Sequence, residues 1–153
     1  MFIQILAFIS QYIGLIISKF TAEELEQGQK YFKILCLVIL VVLILVNLNN
    51  FNVILFIIGF LVAFIFKEVY FYFGVLLFSN INLLNSSLVF LYGLPYSSIR
   101  FFRREWRLTY LNIIFFFSAI AFTYFSFNFM SLAVGAFVSF VIQSFLNFVK
   151  FDF

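Results

Sequence analysis

The sequence predicts an all-α, polytopic transmembrane protein of about five spans, arranged as an N-terminal helix and two antiparallel hairpins, with an interfacial amphipathic helix. Of its 153 residues, 66% are hydrophobic and 10% are charged, and the mean hydropathy is +1.20. Soluble domains carry about 25% charged residues, so this chain lacks the polar residues needed to cover a water-facing surface. We therefore expect residues 1–153 to form a single integral membrane domain.

Apolar length predicts where the spans lie. A spanning helix needs about 20 apolar residues, because that length crosses a hydrocarbon core of roughly 30 Å. The segments that approach this criterion are residues 2–18, 31–48, 53–66, 108–126 and 130–149. We interpret the first as a retained span, since no basic region precedes it and no small-residue cleavage site follows it.

Short polar segments separate these spans. The asparagines at 47–52 and the Ser-Phe-Asn-Phe segment at 126–129 are typical of tight turns, and each predicts an antiparallel hairpin. Thr21 and Glu24 have capping-box spacing, which predicts a short exposed helix from Ala22. Gly28 is its predicted end, because Gly commonly follows a helix C-terminus.

The distribution of basic residues predicts the orientation. Lys19, Lys30 and Lys33 fall on one side of the predicted topology, together with the arginines of residues 100–107 and with Lys150. Neither predicted hairpin turn contains Lys or Arg. The positive-inside bias then places the N-terminus outside and the C-terminus inside.

Residues 67–107 do not form a simple span, and two alternatives stay open. If the third helix ends at Lys67 and Glu68, the apolar stretches after it are too short to cross and are interfacial or re-entrant. If it continues to Phe78, both charges lie inside the bilayer. We favour the first, since a charge near a helix centre costs about 2.5–3.5 kcal/mol on insertion scales.

Lys67 and Glu68 are also the only charged residues between Lys33 and Arg100. Ionisable groups at membrane depth are candidates for ion pathways, so this pair is a candidate proton relay. Termination of a helix at the interface explains the same two charges without any relay.

A basic amphipathic segment precedes the fourth span. Its arginines recur at i, i+3, i+4 and i+7, which places them on one helical face, and Trp106 lies on another. The segment anchors the topology, and it is a candidate contact for cardiolipin, other anionic lipids or an acidic partner surface. Nucleic-acid binding would need a wider basic surface, so we expect none. The residues are Arg100, Arg103, Arg104, Arg107 and Trp106.

Small residues recur every four positions in the last span. This spacing lets two helix backbones approach closely, and a glutamine on the same face can donate across the contact. A shorter version occurs in the third span, so we predict contact between the hairpins or with a partner subunit. The helix-packing residues are Ser131, Gly135, Ser139, Gln143, Gly59 and Ala63.

The residues that usually carry chemistry are scarce. There is no histidine, and Cys36 is the single cysteine, inside an apolar run. Haem ligation by histidine, His-ligated zinc or copper and cysteine-bound clusters need more ligands than this, and no Ser or Cys has a histidine to activate it. We therefore expect no cofactor, no metal and no catalysis, and we interpret Cys36 as a small buried hydrophobe.

Two family resemblances rest on short patterns. The paired hairpins, with Tyr31-Phe32 before the first, resemble the prenylated Rab acceptor family over about a quarter of the chain. Five spans and an outside N-terminus, with the run from Val69 to Gly74, resemble the sixth membrane subunit of respiratory complex I. Residues 67–99 have no counterpart in the first pattern, and the acidic residues of the second are absent.

Phenylalanine is the commonest residue, at 28 positions, which is typical of T-rich codon usage in organellar or reduced genomes. We therefore expect an accessory subunit of an organelle-encoded respiratory-chain or ATP-synthase-type complex, with the mitochondrial inner membrane as its location. It would contact lipid and other transmembrane subunits. The alternatives are a stand-alone membrane-shaping or trafficking protein and a small proton or ion channel.

Overall fold

The computed structural model describes residues 2–20, 22–48, 52–80, 82–102, 109–124 and 129–149, and all regular structure within them is helical. The predicted all-α class is therefore confirmed. The helices are α1 (Phe2–Phe20), α2 (Ala22–Val46), α3 (Val53–Ile65), α4 (Val69–Ser79), α5 (Leu83–Phe102), α6 (Thr109–Ser118), continued by a 3-10 helix at Ala119–Tyr124, and α7 (Met130–Val149).

Successive helices run in opposite directions. Helices α1 and α5 are parallel, because Ser10 lies against Gly93 and Ser18 against Ser98. Asn47, at the end of α2, bonds Asn85, near the start of α5, so these two helices are antiparallel. The chain thus passes back and forth between two ends of one bundle.

The two ends differ in composition. We call one the cationic end, because it holds the lysine and arginine side chains that the described ranges contain: Lys19, Lys30, Lys33, Lys67 and Arg100. The other is the asparagine end, where Asn47, Asn52, Asn80, Asn82 and Asn85 lie around the helix termini. Several of these asparagines act locally; Asn52 caps α3 by accepting from the amides of Ile54 and Leu55.

Helix α4 is the centre of the bundle. Its residues from Val69 to Leu77, except the half-buried Phe71, are buried, and its rings pack edge-on or tilted against those of its neighbours. Tyr70 contacts Phe8 of α1, and Phe73 contacts both Tyr92 of α5 and Phe137 of α7. The third helix does end before Lys67, as predicted, and the segment after it is a core helix.

Helix α5 corrects the prediction for residues 88–96. These residues belong to a continuous 20-residue helix that extends from Leu83 to Phe102 and packs along α1. Pro95 lies inside it, although proline removes one helical hydrogen bond. Residues 88–96 alone are too short to cross a bilayer, whereas the helix also includes the polar residues on both sides of them.

Two further predictions differ from the structure. Helix α2 continues through Gly28, so Ala22 and Gly28 do not bound a separate short helix. The predicted hairpin partners do not pack chiefly on each other: α2 packs on α5 and α7, α3 packs on α7, and α4 lies between α6 and α7. Chain neighbours are antiparallel, but the main contacts join helices that are distant in sequence.

One helix segment, Gly28–Val46, is long and apolar enough to cross a bilayer, and 22% of it is buried in the bundle. Core helices of soluble proteins can pass the same test of length and composition, although they are mostly buried. Five other apolar helices are shorter within the described residues, at Gln4–Phe20, Val53–Ile65, Val69–Ser79, Tyr110–Ala121 and Met130–Leu146.

We predict that Gly135→Ala destabilises the bundle by about 1–3 kcal/mol, because the new methyl group would collide with the carbonyl oxygen of Phe56. Gly28→Ala is the matched control. Its methyl group meets only the Phe32 ring, at 3.4 Å, so it should be neutral or stabilising by up to about 1 kcal/mol. Denaturant unfolding in detergent measures both, and equal effects would contradict the close α3–α7 contact.

Candidate functional site

The predicted packing residues of α3 and α7 face each other. A methyl group on Gly59 would meet the Leu132 carbonyl oxygen, and one on Gly135 would meet that of Phe56. The backbones therefore touch at both glycines, and α3 crosses α7 at closest approach there.

Polar groups close both ends of this α3–α7 seam. The Ser131 hydroxyl oxygen accepts a hydrogen bond from the backbone N–H of Asn52 at 2.9 Å. At the other end, Gln143 Nε2 donates to Ser139 Oγ at 3.0 Å and approaches the Ala63 carbonyl oxygen at 3.5 Å. The structure thus brings all six predicted packing residues into one intramolecular contact.

A second small-residue seam joins α1 and α5, and the sequence analysis missed it. A methyl group on Gly14 would collide with Ser97, and one on Gly93 would collide with Ser10. The Ser18 and Ser98 hydroxyls lie 2.8 Å apart. The signal was present, since Ser10, Gly14 and Ser18 recur every four residues in the way that predicted the α7 stripe.

A polar cluster lies inside the bundle near its cationic end. Arg100 donates to Asn112 Oδ1 at 3.3 Å, and Asn112 Nδ2 donates to Gln11 Oε1 at 3.0 Å. The guanidinium also lies 5.0 Å from the centre of the Tyr96 ring, within range of a cation–π contact. This cluster ties α1, α5 and α6 together through one charge.

Glu68 joins the cluster at its edge. Its Oε2 lies 3.9 Å from Arg100 Nη2, and about a third of its side chain is exposed, against 13% for Arg100. At that distance the pair is an ion pair without a direct hydrogen bond, and solvent screening weakens it. Lys67 is exposed and has no place in the cluster. The side chains of Lys67 and Glu68, the predicted relay pair, therefore do not lie in one site.

The cluster also contains polar atoms without a protein partner among the described residues. They are the Gln11 Nε2 group and the hydroxyls of Tyr12 and Tyr70. The sequence did not predict a role for Gln11 or Asn112, because single amides within apolar runs resemble ordinary helix residues. Only the fold brings them beside Arg100.

The other predicted lipid-contact residues, Arg103, Arg104, Trp106 and Arg107, lie outside the described residues. Arg100 is the last basic residue of α5, and its charge points into the cluster and not to the surroundings. Cys36 is buried in the core, as interpreted from the sequence.

At the asparagine end, Asn47 and Asn85 form a reciprocal amide pair. Each Nδ2 donates to the other Oδ1 at 2.9 Å, and Asn47 Nδ2 also approaches the Leu43 carbonyl oxygen at 2.8 Å. Both side chains are buried, so the pair fixes the register of α2 on α5. The Asn-Ser-Ser sequon at residue 85 is thus inside the bundle.

Within the described ranges, no three His, Cys, Asp or Glu side chains converge on a point where a metal ion could bind. No family model, curated protein or solved structure matches this chain. The roles of the two seams and the polar cluster therefore rest on their geometry.

The three charges near the cluster should differ in importance. Arg100→Gln should cost about 1.5–3 kcal/mol of stability, because Asn112 loses a charged partner. Glu68→Gln should cost less than about 1 kcal/mol, since Glu68 lies 3.9 Å from Arg100 and solvent screens this ion pair. The exposed Lys67 provides the control, and Lys67→Gln should stay within about 0.5 kcal/mol. Unfolding in detergent measures all three, and similar losses at Arg100 and Lys67 would contradict the cluster.

A double-mutant cycle tests the amide pair. Asn47→Leu or Asn85→Leu alone should cost about 1–3 kcal/mol, because the surviving amide is buried without a partner. The double variant should lose less than the sum of the two, since both polar groups are gone and leucine has a similar shape. Strictly additive losses would rule the pair out as a coupled unit.

Proposed function

We propose that this protein is a polytopic integral membrane protein and a non-catalytic, accessory subunit of a larger membrane complex. The observation that carries the membrane part is the placement of polar and aliphatic side chains. Large aliphatic side chains cover the outside of the bundle, while amides and hydroxyls are buried among the apolar side chains of its core. The buried polar residues include Gln4, Gln11, Asn47, Asn85, Asn112 and Ser139.

The outer surface supports the same proposal. Helix α3 uses one narrow face against α7, and the rest of it is apolar and largely exposed; Ile54 is 71% and Ile65 is 89% exposed. Monomeric soluble proteins rarely expose contiguous apolar patches larger than a few hundred Å². Hydrocarbon accepts such a surface and leaves the buried amides and hydroxyls to bond one another.

Helix length bears on this environment. Helices α1, α5 and α7 have 19, 20 and 20 residues, about the length that crosses a hydrocarbon core, while Gly28–Val46 of α2 is the segment of the described residues that is both long and apolar enough. Helix α4 has 11 residues and would be too short alone, but protein surrounds it, so its ends need not meet lipid. Seven crossings, like five, place the two termini on opposite sides, so the basic residues can still lie inside.

The accessory role rests on what the chain contains. A sequence with no histidine and one buried cysteine has few groups for redox or acid–base chemistry, whereas its two seams hold long-range contacts. Its Phe-rich composition supports an organelle-encoded respiratory-chain or ATP-synthase-type assembly in the mitochondrial inner membrane. Such a subunit acts by packing helices and by contacting lipid.

The channel alternative is the one that a specific observation favours, because Gln11, Arg100 and Glu68 form a polar cluster within the bundle. Its weakness is that Glu68 lies at the half-exposed edge of the cluster, 3.9 Å from Arg100, and Lys67 lies apart. A Glu68→Gln variant with unchanged proton flux in liposomes would remove this alternative. A membrane-shaping protein would instead migrate as a small homo-oligomer.

Cysteine labelling distinguishes seven crossings from five. In a Cys36→Ala background, Lys67→Cys and Asn82→Cys lie at the cationic and asparagine ends, respectively, and both positions are exposed. We expect a membrane-impermeant maleimide to reach them from opposite sides of sealed vesicles. Labelling of both positions from the same side would support a re-entrant path for residues 67–99.

Native electrophoresis tests the accessory role. After mild solubilisation we expect the chain in a band of several hundred kilodaltons, and mass spectrometry of that band should identify respiratory or ATP-synthase subunits. Alkaline carbonate extraction of the same membranes is the control for integration. A small free species that still resists carbonate would overturn the accessory role while leaving the membrane assignment intact.

A further inference from the structure

A groove opens on the outside of the bundle between α1, α2 and α5. Helices α1 and α2 each pack on α5, but they hardly touch each other. The space between them is a cavity of about 290 Å³. Its lining is almost entirely apolar and consists of Gly14, Ile17, Phe32, Leu35, Ile39, Leu91, Leu94, Pro95 and Ser98.

The groove is elongated along the helices. On α2 its lining extends from Phe32 to Ile39, and at 1.5 Å per residue this is about 10 Å along the axis. Leu91 to Ser98 on α5 cover a similar length. The polar group of Ser98 is occupied, because its hydroxyl bonds the Leu94 carbonyl oxygen and Ser18. The groove therefore offers an apolar lining about 10 Å long, parallel to the helices.

Three lysines lie close in sequence to lining residues at the cationic end of the groove. Lys19 follows Ile17 by two residues, and Lys33 follows Phe32 directly, while Lys30 lies within one turn of it. Lys19 and Lys30 are exposed and Lys33 is half-buried. The glutamates at 23, 24 and 26 begin α2 at least four residues before Lys30, about 6 Å or more farther along the axis.

We propose that this groove binds one acyl chain of an anionic glycerophospholipid, with the lipid phosphate held by Lys19, Lys30 and Lys33. The proposal rests on the membrane part of the proposed function and does not need the accessory part. Two features select this occupant: the apolar groove runs along the helices, and three lysines lie near its cationic end.

The test uses the full-length protein in nanodiscs of phosphatidylcholine and phosphatidylglycerol, followed by native mass spectrometry in mild detergent. We expect the wild type to retain one phosphatidylglycerol in preference to phosphatidylcholine. Leu35→Trp should fill the groove and abolish retention. Val38→Trp, on an exposed position of α2 outside the lining, is the matched control and should retain the lipid.

The lysines are tested by replacing Lys19, Lys30 and Lys33 with Gln, singly and together. Each replacement should lower the preference for phosphatidylglycerol by roughly fivefold, without removing acyl-chain binding. Equal retention by Leu35→Trp and Val38→Trp, or a preference that survives the triple replacement, would overturn the proposal. So would a dimer mass that disappears only in Leu35→Trp, because a second copy would then occupy the groove.

Carbonate extraction separates this proposal from the proposed function. A chain that resists extraction but retains no lipid would sink the groove alone. A chain released by carbonate would sink the membrane assignment, and the groove with it.

Discussion

The bundle depends on helix pairs that approach closely enough for only glycine to fit between them. Gly59 and Gly135 hold α3 against α7, and Gly14 and Gly93 hold α1 against α5. Gly74 does the same for α4, where a methyl group would meet the Phe116 carbonyl oxygen and Ala119. In lipid, apolar area gives helices little reason to associate, so close packing and interhelical hydrogen bonds must supply the attraction.

The other interactions follow from these approaches. Close α1–α5 packing places Ser18 beside Ser98. It also fixes the position of Arg100 along the bundle axis, from which its guanidinium donates to Asn112. The central position of α4 likewise depends on its neighbours, since an 11-residue helix offers few bonds of its own. The ring contacts around Tyr70 and Phe73 fill the space that these backbones enclose.

Sequence reasoning worked where one local signal dominated. Apolar length located the helices over 53–66 and 130–149, and the charges at Lys67 and Glu68 located the end of α3. It failed where tertiary packing decided. Gly28 indicated a helix end that the neighbouring turns override. The short apolar stretch at 69–78 suggested an interfacial or re-entrant path, because nothing local shows that other helices surround it.

The candidate site was predictable in part for the same reason. The α7 stripe has a spacing that can be recognised, and so does Ser10-Gly14-Ser18. The cluster of Gln11, Arg100 and Asn112 joins residues about 100 positions apart, with no common pattern. The groove needs the gap between α1 and α2, which neither helix encodes alone.

The order of contacts along the chain has a consequence for synthesis. Helix α1 finds its main partner only when α5 emerges, more than 70 residues later, and α3 finds its own only with α7, the last helix. During translation, the small-residue faces of α1 and α3 therefore have no partner helix until α5 and α7 are made. A chain arrested before Met130 would leave α3 with no docking face, so the α3–α7 contact can form only once the last helix has been made.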